Sequence, residues 1–185
     1  SVIGSRALSS VLVEGKKDGN GINVKTKNIT YCTPGMYENA LATAGIKDAD
    51  IVVAGPFNIS GTAALVGAIK SYENMTGEKV NTENVETATN ELVITGQVAE
   101  SVGDQEKAEQ LIGAIKEQVV EGEAVTTEEI ENVVEQAAQE MKIELSEEDR
   151  QAIVSLMEKI DDLDLDIESL KEQAKNLYDK IASLD

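Results

Sequence analysis

Apolar positions change period part-way along this chain. Residues 7–13 (Ala-Leu-Ser-Ser-Val-Leu-Val) form a short β-prone run. The polar stretch Lys16-Lys17-Asp18-Gly19-Asn20-Gly21 is rich in residues that tolerate positive φ, so the two together predict a hairpin. Ile22, Val24 and Thr26 share one strand face, but Ile29 and Tyr31 fall in the opposite phase, which places a bulge or change of face near Lys27-Asn28. Thr33-Pro34 reads as a hydroxyl N-cap with proline at the first helical position. Tyr37, Ala40, Leu41 and Ala44 then recur at helical spacing, and Gly45 suits the residue after the helix, so an amphipathic helix is predicted. Asp50–Ala54 is a compact apolar run of buried-strand type, closed by Gly55-Pro56, and a second helix is expected from about Ser60-Gly61-Thr62 to Gly77, apolar almost all round through Ala63–Ile69.

From residue 81 the period is helical. Val85, Ala88, Leu92, Ala99 and Val102 lie on one stripe, although the run Leu92-Val93-Ile94-Thr95, β-branched from Val93 on, and Gly96 leave a strand open as the alternative there. Ala108, Leu111, Ile112, Ile115 and Val119 mark the next helix. Thr126 with Glu129 forms a capping box ahead of Ile130, Val133, Val134, Ala137, Ala138 and Met141, and Ser146 with Asp149 repeats that signal before Ile153, Leu156, Met157 and Ile160. A last helix is expected over Ile167–Leu184. The predicted fold class is α+β: a small mixed three-stranded sheet with two helices over residues 1–80, then an acidic helical region of four to five helices over 81–185 that shares or does not share one core with the first.

Charge follows the same division. Residues 1–80 carry 8 basic and 7 acidic side chains, whereas residues 81–185 carry 8 and 28, within a 185-residue chain of net charge −19. So acidic a surface repels a phosphate backbone, and nucleic acid is not an expected partner. No apolar run has the length of a membrane span. Ser1 begins without an initiator Met or a leader-type h-region, so a processed chain or fragment is expected.

The chemistry available is narrow. There is no histidine, which removes Ser-His and Cys-His pairs and imidazole metal ligands, and the single Cys32 forms neither an internal disulfide nor a thiolate zinc site. Phosphate-loop and dinucleotide glycine patterns are lacking, and no cofactor is expected. In Asp161–Glu168, carboxylates at Asp162, Asp164 and Asp166 resemble the first half of a calcium loop, yet Ile167 stands where glycine is needed and Gln173 where the closing Glu belongs. No metal site is therefore predicted; Leu163, Leu165 and Ile167 are read as turned inward and Asp166 as the cap of the final helix. The strand-to-helix turn Gly55–Thr62 offers amides at a helix start, with Ser60 read as the N-cap. Any partner surface is expected around Tyr31, Tyr37, Phe57, Asn58, Ser60 and Thr62, because the strongly acidic half would repel anionic envelope polymers.

Five strings, Ile3–Ser10, Asn28–Tyr31, Ala44–Asp50, Ala54–Leu65 and Gln173–Tyr178, resemble in order the YpuA-like family of exported Gram-positive bacterial proteins, a domain of unknown function. The resemblance implies a secreted or cell-surface location and a trimmed or mature chain, and it supplies no catalytic residues. Two function classes follow as expectations: a non-enzymatic extracellular module that binds a protein or envelope component, and a hydrolase or lyase acting on extracellular polymer through a carboxylate pair. The first is favoured, since a carboxyl tuned for acid/base work needs burial beside apolar or aromatic walls, and aromatics make up 3% of the chain.

Overall fold

The computed structural model describes residues 8–122, 126–163, 165–168, 170 and 171. Element order is β1 (Ser10–Gly15), β2 (Ile22–Ile29), α1 (Pro34–Thr43), β3 (Ala49–Ile59), α2 (Ala64–Thr76), α3 (Thr82–Val102), α4 (Gln105–Val120), α5 (Thr127–Glu140) and α6 (Glu147–Asp161). This is the α+β arrangement predicted. The chain forms two compact units, Ser1–Val93 and Ile94–Asp185, whose boundary falls within α3.

In the first unit the sheet order is β1-β3-β2, with β1 antiparallel and β2 parallel to β3. The predicted hairpin is therefore wrong, because β3 lies between its two strands. The reason is burial: β3 is the most apolar strand, and Ala49, Ile51 and Val53 are inaccessible only if both flanks are paired. The polar stretch Lys16–Gly21 wraps the start of β3 instead of turning a hairpin. Lys16 donates its amide to the Asp48 carbonyl at 2.7 Å, and Gly21 donates its own to the Asp48 carboxylate at 2.9 Å.

The expected bulge is present. Pairing runs from Ile22↔Ala49 to Lys27↔Ala54 and resumes at Ile29↔Ile59, so Gly55–Asn58 bow out against the single residue Asn28. Asn28 sits at φ 58, a conformation asparagine tolerates, and its side-chain amide donates to the Gly55 carbonyl at 2.9 Å. A Cβ on Gly55 would stand 2.6 Å from the Phe57 carbonyl oxygen, so the tight bow requires glycine. β3 thus continues through Gly55-Pro56 to Ile59 rather than ending there.

α1 is buried from Gly35 to Thr43 and is not amphipathic as expected, since it meets β2, α2 and the start of α3 on different sides. Thr33 caps it through Met36 N–H at 3.1 Å, and Gly45 follows at φ 83. α2 departs from its predicted start: Ala63 occupies the N-cap with no side-chain bond, and the Ser60 carbonyl accepts the Cys32 amide at 3.1 Å. Only one side of α2 is covered, by Ala64, Leu65, Ala68 and Ile69, while Val66 is exposed.

α3 is helical through Leu92–Thr95 and Gly96, which corrects the strand alternative; a long half-buried face outweighs the modest helical cost of β-branching. In the second unit Ala108, Leu111, Ile112, Ile115 and Val119 of α4 are fully inaccessible, packed with Ile130 and Val134 of α5 and Ile153, Leu156 and Ile160 of α6. The capping box of α5 is complete, Thr126 N–H reaching the Glu129 carboxylate at 3.0 Å, and Ser146 caps α6 through Asp149 N–H at 3.0 Å. Asp104 caps α4 in the same way, a start signal the sequence reading passed over. Among the described residues no helix is long and apolar enough to cross a membrane. Most of the helix expected over Ile167–Leu184 lies outside the described residues.

Candidate functional site

The two segments singled out in the sequence meet at one corner of the first unit. Thr30 N–H donates to the Ile59 carbonyl at 2.9 Å, Cys32 N–H to Ser60, and the Tyr37 hydroxyl to the Gly61 carbonyl at 2.6 Å. Gly61 is held at φ 89, and a Cβ there would stand 2.4 Å from the Tyr37 oxygen, so the corner closes only over glycine. The Cys32 thiol is hydrogen-bonded to Tyr37. Burial pushes the thiol up to about 12 and raises the phenol as well, so both stay neutral at physiological pH and serve as packing.

The six residues of the expected contact surface therefore divide. Tyr37 and Thr62 are buried and hold the corner together; Tyr31 and Ser60 are half-buried; Asn58 is exposed, as is Phe57 at 60% accessibility on the bowed segment. The sheet continues this apolar display. Along β1 and β3 the odd-numbered apolar residues face the helices, while Leu12, 66% exposed, and Val52 face outward in one row with Lys25 of β2. The next row is Ser10, Ala54 and Lys27; on the other side lie Glu14, Asp50 and Asn23.

A second feature was not legible beforehand. Around α1 the first unit buries Glu38, Asn39, Thr43, Thr87 and Glu91. Thr43 donates its hydroxyl to Glu91 at 2.5 Å, and the Glu38 carboxylate accepts the Val24 amide of β2 at 2.9 Å. The only available signal was the recurrence of Thr87 and Glu91 beside Ala88 and Leu92 on the buried side of α3. Glu38 and Glu91 thus answer structural needs, the one satisfying a strand amide and the other a buried hydroxyl.

In the second unit a cleft of about 400 Å³ lies between α5 and the start of α6, floored by Val134, Ala138, Ile143 and Leu145 and rimmed by Glu135, Glu144 and Arg150. Arg150 is tied to Glu135 and stands 3.7 Å from Glu147, so the cation and its nearest carboxylate neutralise each other. The acidic run resolves into helix-end structure: Asp162 is the exposed C-cap of α6, and the exposed Asp166 gives its carbonyl to Leu170 N–H at 3.1 Å. Leu165 packs against the core, but Ile167 is 43% exposed rather than turned inward, because it opens a new helical turn on its outer side. Asp164 lies outside the described residues. Among the described residues no group of three or more Cys, Asp or Glu side chains is arranged to hold a metal ion.

Residues 1–177 match the family described as a protein of unknown function, DUF1002. The chain belongs to the DUF1002 family. It is 40% identical over 180 residues to the uncharacterized protein YpuA of Bacillus subtilis strain 168, covering 97% of this chain and 62% of that relative. The chain thus spans somewhat less than two thirds of the length of the relative it matches. No solved structure matches it. Membership in DUF1002 confirms the family resemblance carried by the five strings and assigns no residue a role.

Proposed function

We propose that this chain is a non-enzymatic binding module, exported to the cell surface or medium, whose contact surface is the outward apolar display of the first unit. The observation that carries this reading is the distribution of exposed large apolar side chains. Among the described residues Leu8, Leu12, Val52, Phe57, Val66 and Met75 fall in the first unit and only Ile167 in the second. Of these, Leu12 and Val52 are neighbours in one outward row of the sheet, and contiguous exposed apolar side chains are a recognised mark of interaction surfaces. Export rests on the resemblance to exported Gram-positive proteins. The expected partner is a protein or envelope component with an apolar contact face, and Lys25 and Lys27 beside Val52 and Ala54 would suit one that carries negative charge.

The competing hydrolase or lyase reading asks for two carboxylates over a cleft, one of them shielded from water. In the cleft of the second unit, Glu135 is already engaged by Arg150 and its side chain is 52% exposed, which favours the binding reading. The test is a pull-down from a Gram-positive culture with the whole chain and with Phe57→Ala. A component retained by the native chain and depleted at least about tenfold by the variant, a loss of about 1.4 kcal/mol, supports the module. Turnover of an envelope polymer by the purified chain, abolished by changing a single Asp or Glu, overturns it.

A further inference from the structure

The two edges of the sheet are not equivalent. On β2, the Val24 amide is taken by the buried Glu38 carboxylate, Lys25 and Lys27 are exposed, and Asn28 breaks the ladder; such devices discourage strand addition. β1 has neither proline nor lysine, and its most central side chain, Leu12, is the most exposed large apolar residue described. The phase of its hydrogen bonds is fixed by Lys16 N–H donating to the Asp48 carbonyl. In an antiparallel ladder the even-numbered residues of β1 then face β3, and the amides and carbonyls of Val11 and Val13 point outward.

We propose that two copies of this chain associate edge to edge through antiparallel β1 strands, with the two-fold axis at Leu12. Three features of β1 agree on that register. Val11 meets Val13 of the other copy, the two positions with outward backbone groups, giving two reciprocal pairs of main-chain hydrogen bonds. Leu12 meets Leu12 as a non-hydrogen-bonded pair, the closer kind, and the outward row becomes Val52-Leu12-Leu12-Val52 across a six-stranded sheet. Glu14 meets Ser10, so no like charges face each other, and Gly15 ends the contact without a side chain. A pairing register shifted by one residue sets Leu12 against Val11 or Val13 and loses the hydrogen-bond phase, while one shifted by two keeps the phase but sets Leu12 against Ser10 or Glu14 and loses the apolar row, so the axis at Leu12 is the best match. The contact is small and belongs to the transient class of interfaces. This inference goes beyond the proposed binding function and does not depend on it.

Sedimentation equilibrium of the whole chain, from micromolar to near-millimolar concentration, reads the association directly. The mass should rise from 19.8 kDa toward twice that value. Val13→Pro removes an outward amide without touching the ladder to β3, and Leu12→Lys sets two cations side by side. Each should weaken association at least about tenfold while the thermal midpoint and circular dichroism stay native-like. As an independent arm, Leu12→Cys should form a disulfide-linked dimer under mild oxidation and Ser10→Cys should not, since only position 12 faces itself; Cys32 is buried and takes no part. A native mass that never leaves that of one chain overturns the proposal. So does an association that Val13→Pro and Leu12→Lys leave unchanged, or cross-linking equally fast from positions 10 and 12.

Discussion

Residues 1–93 bury Glu38, Asn39, Thr43, Thr87 and Glu91 around α1 while exposing Leu12, Val52 and Phe57. Residues 94–185 place an aliphatic core inside α4, α5 and α6 and a dense carboxylate surface outside, with Asp and Glu outnumbering Lys and Arg by 25 to 8. The second arrangement is what stability and solubility alone would produce. The second unit too buries polar side chains, at Thr95, Glu109, Lys116 and Asp149, so the first departs from it in one direction, by exposing large apolar side chains. Buried polar groups of the first unit have partners such as Val24 and Thr43, whereas its exposed apolar groups have none in the fold, and the proposed contact surface rests on that difference.

The contrast can be broken at graded points. The largest loss is expected from Ile112→Ala in the aliphatic core, about 4 kcal/mol, read as a fall in the urea midpoint with the greatest rise in amide exchange in α4–α6. Gly61→Ala should cost about 3 kcal/mol, because it combines a strained positive φ with a collision against Tyr37 and Ile29. Its readout is Cys32. With the folded thiol pushed up to about 12 from an ordinary 9.0, the thiol contributes stability that is fully present below pH 9 and is lost as pH rises toward 12. At pH 8 the native chain should therefore resist thiol labelling, and Gly61→Ala should be labelled faster in proportion to its loss of stability.

Glu91→Ala should cost about 2 kcal/mol by removing the acceptor of the buried Thr43 hydroxyl, and Glu91→Gln should recover part of that by restoring an oxygen. Equal effects from the two variants would show that the charge, not the hydrogen bond, is what the α1–α3 contact needs. Thr126→Ala should cost about 1 kcal/mol, confined to the first turn of α5, since it dismantles a capping box at an exposed helix start.

Legibility in the sequence followed the same line between the units. In the second, helix starts are carried by Thr126, Ser146 and their partners three residues on, and the apolar spacing of Leu111, Ile112 and Ile115 has one interpretation. Local chemistry and burial agree there, so elements and core were readable. In the first they conflict. Lys16–Gly21 has the composition of a hairpin turn, but the pairing is decided by β3, whose demand for two partners is a property of the whole sheet. Tyr37 shows the same limit at the candidate site: the segments Tyr31–Tyr37 and Phe57–Thr62 lie side by side, but an aromatic next to a turn does not disclose whether it faces water or closes a corner against Gly61. Glu38 and Glu91 were invisible because a buried carboxylate is specified by its donor, and Val24 N–H and Thr43 lie at distances in sequence that no local pattern spans.

The central claim, that the first unit carries the contact surface, is tested most directly by site-specific photo-cross-linking. A benzophenone side chain placed at Phe57, or separately at Glu135 on the rim of the α5–α6 cleft, is activated in a Gram-positive envelope extract, and the adducts are identified by mass spectrometry. The account predicts a discrete, saturable adduct from position 57 and none from position 135. An adduct from position 135 with none from 57 would contradict it and move the site to the acidic helical unit.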